Sequence, residues 1–314
     1  MPMKLVMMGT GPFAVPTLRA LAAAGHDLAQ VVCRPPHGKR GEPPAPVRLA
    51  AESLGLPVWM PPTVNSADSQ SRLRELQADL LLVCDYGEIL RDATLQTARL
   101  GGVNLHGSLL PRHRGAAPVQ WAVIRGDAET GATVIHMTPG LDAGPVLGTV
   151  ATPIDPEETA GELEDRLAEL GAPLAVRVVE QLAAGGPRGR PQDKSLVTKA
   201  PRLAKADGLV DWSLAAPSIK NRVRGLQPWP RTYTFYRDAK GRPQRLNIDR
   251  VAVTTGSGAP GAILEAGQRL VVATGGDALE VLELQPAGKR RMRAADWLRG
   301  APLGVGDAFL ASSD

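Results

Sequence analysis

Asn104 and His106 stand two residues apart in the stretch Val103-Asn-Leu-His-Gly-Ser-Leu-Leu-Pro-Arg-His-Arg-Gly-Ala-Ala-Pro118. In an extended chain, positions i and i+2 share a face, so these two side chains point the same way. An Asn amide can donate a hydrogen bond to a developing oxyanion, and a His can move a proton near neutral pH. A catalytic His usually needs a carboxylate to orient it. Asp142 is the candidate, set between glycines and prolines in Thr138-Pro-Gly-Leu-Asp-Ala-Gly-Pro145. The plain alternative is that all three are solvated loop residues.

Other chemistries fit the sequence less well. A metal site has only His106 and His113, seven residues apart, with no Cys or Glu as third ligand. Ser108 sits in Gly-Ser-Leu, without the G-x-S-x-G turn of a nucleophilic serine. His136 alternates with apolar neighbours as a satisfied core or surface histidine would, and His26 and His37 lie in turn-rich sequence and take no role. Gly9-Thr-Gly11-Pro-Phe-Ala14 matches a dinucleotide-binding turn formally. Pro12 lacks an amide for a pyrophosphate, however, and the next strand ends in Cys33-Arg34 with no acid for a ribose. Arg34 could instead meet a 2′-phosphate, which leaves an NADP oxidoreductase as a rival to a simple strand-to-helix turn.

The elements that must position these residues alternate. Lys4–Met8, Leu28–Cys33, Leu80–Cys84, Val103–Leu105, Ala132–Met137 and Val146–Val150 read as strands; Val15–Ala24, Arg48–Leu54, Ser71–Gln77 and Thr159–Ala184 read as helices. This order predicts an α/β fold with a doubly wound, mostly parallel sheet, whose carboxyl-end rim is the usual place for a site. Gly185-Gly-Pro-Arg-Gly-Arg-Pro191 reads as the start of a linker. Short strands follow at Tyr233–Tyr236, Leu246–Val253, Ala262–Leu264, Leu270–Ala273 and Leu279–Leu284, with a helix near Ser218–Gly225 and turns at 238–241 and 275–277. They predict a small antiparallel barrel or sandwich. The expected organisation is a first domain over residues 1–184, a linker over 185–206 and a second domain over 207–314.

At 314 residues, with 43% hydrophobic and 22% charged residues, the chain is long enough for two domains with well-buried cores. No apolar run reaches the roughly 18 residues needed to span a bilayer, and no signal peptide is evident, so a cytoplasmic protein with no membrane partner is expected. Cys33 and Cys84 lie in apolar runs and read as buried, reduced thiols. The net charge is +4, and its excess is local: residues 205–314 carry 16 Lys and Arg against 11 Asp and Glu. Such a surplus suits an anionic partner, nucleic acid first, or simply a solvated arginine-rich surface.

The stretch "VNLHGSLLPRHRGAAPVQWAVIRGDAETGATVIHM", followed by "GLDAGPVL", resembles the signature of the folate-dependent formyltransferases. "GTGPFAVPTLRAL", "LVTKAPRLAKADGLVDWS", "LQPWPRTYT" and "LQPAGKRRMRAADWLRG" are similar to the branch of that family acting on initiator methionyl-tRNA. The resemblance runs nearly end to end. It implies a Rossmann-like catalytic domain, a C-terminal barrel resembling an OB fold, 10-formyltetrahydrofolate as formyl donor, no metal, and a monomer. The methionine amino group of initiator methionyl-tRNA would be the acceptor, with water or an amino sugar as the alternative. Asn104, His106 and Asp142 match the family's catalytic set. The folate turn maps to Ser108, Leu109, Leu110 and Pro111, and the loop walling the pterin to Tyr86, Gly87, Ile89 and Leu90. The basic loop directed at tRNA maps to 34–46, with Arg34, Lys39 and Arg40, and Lys289, Arg290, Arg291 and Arg293 form a second phosphate-contacting candidate. A non-catalytic nucleic-acid-binding protein on the same scaffold is a further alternative, against which the three catalytic residue types argue.

Three positions depart from the family pattern. The first turn reads Gly9-Thr-Gly-Pro12 where the family has Gly-Thr-Pro, which implies a changed turn conformation. Asp85 replaces a common alanine before Tyr86-Gly87, where an acid would either alter pterin hydrogen bonding or face solvent. The basic loop is shorter and richer in proline.

Overall fold

The structure is a computed structural model that describes residues 2–36, 43–186, 189–310 and 312. The chain divides into two compact units: residues 1–119, 129–153 and 162–201 form the first, and 120–128, 154–161 and 202–314 the second.

In the first unit, β1 (Lys4–Met8), β2 (Asp27–Val32), β3 (Val58–Trp59), β4 (Leu80–Val83) and β5 (Gly102–His106) are joined through α1 (Val15–Ala23), α2 (Pro46–Ser53), α3 (Ala67–Glu75) and the short α4 (Asp92–Leu95). β6 (Arg114–Gly115), β7 (Glu129–His136), β8 (Val146–Pro153), α6 (Ala160–Ala183) and β9 (Lys199–Ala200) follow, while α5 (Pro118–Arg125), between β6 and β7 in the chain, has its residues 120–125 in the second unit. The seven-stranded sheet has the order β3-β2-β1-β4-β5-β7-β8. Leu5 to Met8 and Leu80 to Val83 are buried throughout, because helices cover both faces of these central strands. Each such Leu or Val contributes about 1.5–3 kcal/mol relative to exposure.

The expected mostly parallel sheet holds for β1 to β5, but β7 pairs antiparallel to both β5 and β8. Periodicity reports a strand and not its direction, so these pairings were not readable. Asn104 lies opposite Val83 of β4 and Ile135 of β7, which places it and His106 at the carboxyl end of β5. Tight contacts set this rim. A Cβ on Gly9 would stand 2.8 Å from Ala14 Cβ and 2.9 Å from Cys84 O, so the first turn packs directly on the end of β4. A Cβ on Gly171 would stand 3.0 Å from Leu105, which lets α6 approach β5 closely. Both cysteines are free and buried, and burial pushes the Cys33 thiol up to about 11.

Residues 190–200, expected as linker, are structured within the first unit. Arg190 exchanges backbone hydrogen bonds with Val146, and β9 pairs in parallel with β6. Glycine and proline content marked this stretch as irregular, and its pairing is a tertiary effect that composition does not report.

In the second unit, α7 (Ala216–Gly225), β10 (Thr232–Arg237), β11 (Pro243–Thr254), β12 (Ile263–Ala266), β13 (Leu270–Ala273), β14 (Ala278–Pro286), β15 (Met292–Arg293) and α8 (Ala294–Leu298) follow one another. The antiparallel sheet has the order β10-β11-β14-β13-β12, with β15 on β14. Register shifts near Arg250 bend the long strand β11. Residues 308–310 then bridge to Ala262 before β12 and to Phe235 of β10, covering both edges of the curled sheet. Its core holds Leu246, Ile248, Val281 and Leu284 from the strands and Ile219 and Val223 from α7. Trp212 and Phe309 stack within it at 5.5 Å.

Candidate active site

At the end of β5, His106 is 6% exposed and lies between two acceptors. Its Nε2 is 3.0 Å from the carbonyl oxygen of His113, and its Nδ1 is 3.8 Å from Asp142 Oδ1. A carbonyl accepts only, so Nε2 must carry its proton. The Nδ1 separation exceeds a hydrogen bond, so Nδ1 and the Asp142 carboxylate are neighbours without being bonded to each other. The Asp142 carboxylate is also held, because the Gly115 N–H donates to Oδ2 at 2.9 Å. Asn104 is half-buried on the same strand, and its side-chain amide makes no hydrogen bond to a described residue. The three candidates named from the sequence therefore lie at one rim, Asn104 and His106 on one strand and His106 3.8 Å from Asp142.

The Ser108–Pro111 turn is folded back on itself. Ser108 Oγ donates to Arg112 O at 2.7 Å, and Thr133 Oγ1 donates to Ser108 O at 2.6 Å while accepting from Leu110 N–H at 3.2 Å. Ser108 and Leu110 are buried, while Leu109 and Pro111 are half-buried. In the neighbouring loop, Tyr86 and Leu90 turn into the hydrophobic core, so their side chains pack the sheet and do not line an open surface. Gly87 and Ile89 are the exposed members, Ile89 at 66%.

This loop is fastened by residues that the sequence reading passed over. Glu88 accepts from Asn65 Nδ2 at 2.8 Å, from Val64 N–H at 3.3 Å and from Thr63 Oγ1, and it pairs with Arg34 Nη1 at 2.8 Å. Thr10 Oγ1 donates to Tyr86 O at 3.0 Å and accepts from Arg34 N–H at 3.1 Å. Arg34 also donates to Pro62 O, so the guanidinium expected to face tRNA is occupied inside the fold. Lys39 and Arg40 lie outside the described residues. Gln192, Thr198 and Thr133 were passed over as well; uncharged polar residues in an irregular stretch or a buried strand carry no signal that sets them apart.

Asp85, just beyond β4, has a left-handed backbone at φ +47°. Neighbouring protein displaces part of the water around its carboxyl and, with the Glu164 carboxylate adding repulsion, raises it to about 7 although the residue is exposed. Solvent still reaches the residue and moderates both effects.

In the second unit, Lys289, Arg290 and Arg293 are exposed. Arg291 differs: it pairs with Glu283 and lies 3.8 Å from Asp249, whose carboxylate also binds Arg231 Nη2 at 2.6 and 2.7 Å. Among the described residues, no cluster of His, Cys, Asp and Glu could hold a metal ion. None of the described helices is long and apolar enough to cross a membrane.

Residues 3–179 match the model of the formyl transferase family, and residues 202–302 match that of the formyl transferase C-terminal domain. The chain belongs to the formyl transferase family. Among relatives of this formyl transferase, methionyl-tRNA formyltransferase of Rhodopirellula baltica is 46% identical over 98% of this chain and 97% of that protein. The enzyme of the same name from Citrifermentans bemidjiense is 43% identical over 97% and 95%. An N-formyltransferase from Helicobacter canadensis, solved with folinic acid and dTDP-3-aminofucose, shares the fold at TM-score 0.67 and 14% identity, covering 90% of this chain and 99% of that one.

Proposed function

We propose that this formyl transferase moves the formyl group of 10-formyltetrahydrofolate to the methionine amino group of initiator methionyl-tRNA. It would act in the cytoplasm, as a monomer. The observation that carries the acceptor is the 46% identity, across 98% of the chain, to a methionyl-tRNA formyltransferase. Likeness at 14% identity to an N-formyltransferase solved with dTDP-3-aminofucose supports the shared fold alone.

The folate enters as a substrate. Of the residues expected to meet the pterin and folate, Ile89 is exposed and Leu109 is half-buried in a turn held by Thr133, and each would offer apolar surface to a flat ring. The acceptor amine attacks the formyl carbon, the C–O double bond becomes a C–O⁻ single bond, and the bond from carbon to the folate nitrogen then breaks. Asn104 donates its free amide N–H to that oxygen, and His106 donates from Nδ1. One preorganised donor of this kind is worth roughly 3 kcal/mol. Asp142, 3.8 Å from Nδ1, orients His106 and receives the proton released by the amine, directly or through water. As that bond breaks the oxyanion returns to a C–O double bond, and the departing folate nitrogen takes up the proton that Asp142 received, giving tetrahydrofolate and the N-formyl product. The unit that carries Asn104, His106 and Asp142 would be catalytic, and the second unit would engage tRNA through Lys289, Arg290 and Arg293.

Formyl transfer to charged initiator tRNA, charged elongator tRNA, an amino-sugar nucleotide and no acceptor tests the proposal. Transfer strongly favouring charged initiator tRNA is expected. Equal loss of formyl donor without tRNA, or preference for the amino sugar, would assign another acceptor. Asn104→Ala is expected to lower kcat about 10²- to 10³-fold.

A further inference from the structure

We infer that Gln192 is a positioning residue for the Asp142 carboxylate, acting through the backbone of the 142–144 loop; this rests on the reading of Asp142 given above. The Gln192 carboxamide uses both of its ends. Nε2 donates to the carbonyl oxygens of Asp142 and Gly144, each at 2.8 Å, and Oε1 accepts from Arg114 Nε at 3.1 Å and Nη2 at 2.7 Å. Only a carboxamide offers two N–H donors on one side and an acceptor on the other in a single plane. An acid would turn a negative oxygen toward two carbonyls, and a truncated side chain would leave them and the Arg114 fork without this partner.

The loop it grips needs holding. Asp142 has a left-handed backbone at φ +49°, unusual for a side-chain-bearing residue, and Gly144 lies so close to His136 O that a Cβ there would overlap it. The segment carrying Gln192 is itself anchored, by paired backbone hydrogen bonds between Arg190 and Val146 at 2.8 Å each. Farther along it, Thr198 Oγ1 accepts from His113 N–H at 2.8 Å, and Thr198 O accepts from Arg114 N–H at 2.9 Å. One strap therefore secures both acceptors that bracket His106: the Asp142 loop through Gln192, and the His113 carbonyl through Thr198. The site depends on 190–200 although none of those residues touches His106 by a described hydrogen bond.

The test is steady-state formyl transfer by the full chain, with 10-formyltetrahydrofolate and charged initiator tRNA, for Gln192→Glu, Gln192→Ala, Asp142→Asn and the Gln192→Glu/Asp142→Asn pair. Gln192→Glu keeps an acceptor for Arg114 and loses the grip on the loop. Its kcat is expected to fall about 10²-fold, the cost of a displacement near 1 Å in a reacting group. KM for both substrates should stay within about twofold and Tm close to the parent. In the Asp142→Asn background the same change should cost less than about threefold, because the group it positions is already gone. A kcat within twofold of the parent for both Gln192 variants, or full additivity with Asp142→Asn, overturns the assignment. If Asp142→Asn itself retains full activity, the reading of Asp142 falls and takes this inference with it. An impaired Asp142→Asn beside an active Gln192→Glu removes the Gln192 role alone.

Discussion

The carboxylate of Asp85 fills the space in which a side chain at residue 11 would begin. A Cβ on Gly11 would overlap Asp85 Oδ2 and stand 2.8 Å from Cγ, while the N–H groups of Thr10 and Gly11 donate to Asp85 O at 2.9 and 3.3 Å. The two departures from the family pattern, a glycine in the first turn and an acid after β4, are thus one feature. Gly11 has φ −81°, which any residue can adopt, so glycine is needed here for space and not for backbone freedom.

That distinction predicts a specific rescue. Gly11→Ala must push the Asp85 carboxylate aside, and because a side-chain tip can move, the cost is expected near the low end for overpacking, about 1 kcal/mol. Asp85→Ala vacates the space, so Gly11→Ala should become nearly neutral in that background. Chemical denaturation of the two single variants and the double variant measures this. Equal cost in both backgrounds would separate the two positions.

Asp85 also gives stability a pH dependence whose sign can be worked out. Its carboxyl titrates at about 7 in the folded chain against 3.8 as the ordinary value. Between these limits the folded state holds a proton that the unfolded state has released, so stability declines as pH rises from about 4 to about 7. Above that window the contribution is constant. Solvent contact reduces the shift and so narrows this pH window from above. Asp85→Asn should flatten this component in melting curves collected from pH 4.5 to 8. A pH slope unchanged by the substitution would locate it elsewhere.

Glu88 joins the 86–90 loop to the 62–65 segment, with a side chain only 14% exposed. Removing it leaves Arg34, Asn65 and the Val64 N–H without this acceptor. Glu88→Ala is expected to cost about 2–3 kcal/mol, since stranded polar partners are more expensive than the interaction was favourable. With the loop loosened, KM for 10-formyltetrahydrofolate should rise several-fold while kcat changes little. A fall in kcat with unchanged KM would instead connect Glu88 to the reacting groups.

The Glu88 network shows where sequence reading stops. β1 and β4 were legible because strands buried on both faces must be apolar at every position, as Leu5-Val-Met-Met8 and Leu80-Leu-Leu-Val83 are. The shared strand of Asn104 and His106 was legible from a period of two, whereas Asp142, in a loop, could be named only from its residue type and the family resemblance. The direction of β7, the pairing of β9 with β6 and the grip of Gln192 arise between segments far apart in the chain, where no local period records them. Side-chain aim was hidden for the same reason. Tyr86 and Arg34 occupy the expected loops, yet one packs into the core and the other is claimed by Glu88.

The basic run near the C-terminus separates into two kinds of cation, which ionic strength can tell apart. Arg291 is spoken for by Glu283 and Asp249, whereas Lys289, Arg290 and Arg293 are exposed and have no described ion pair. A cation that contacts phosphate releases counterions on binding and adds about one to the slope of log affinity against log salt. The triple variant Lys289→Ala/Arg290→Ala/Arg293→Ala should therefore weaken tRNA binding at low salt and lower that slope by about two to three. Arg291→Ala should leave the slope nearly unchanged and cost at most about 1 kcal/mol of stability, because Arg291 is itself half-exposed and buried Asp249 keeps Arg231 as a partner. Titrations of charged initiator tRNA between 50 and 200 mM salt read both quantities. A slope reduced by Arg291→Ala alone would mean that its carboxylate partners release it to the nucleic acid.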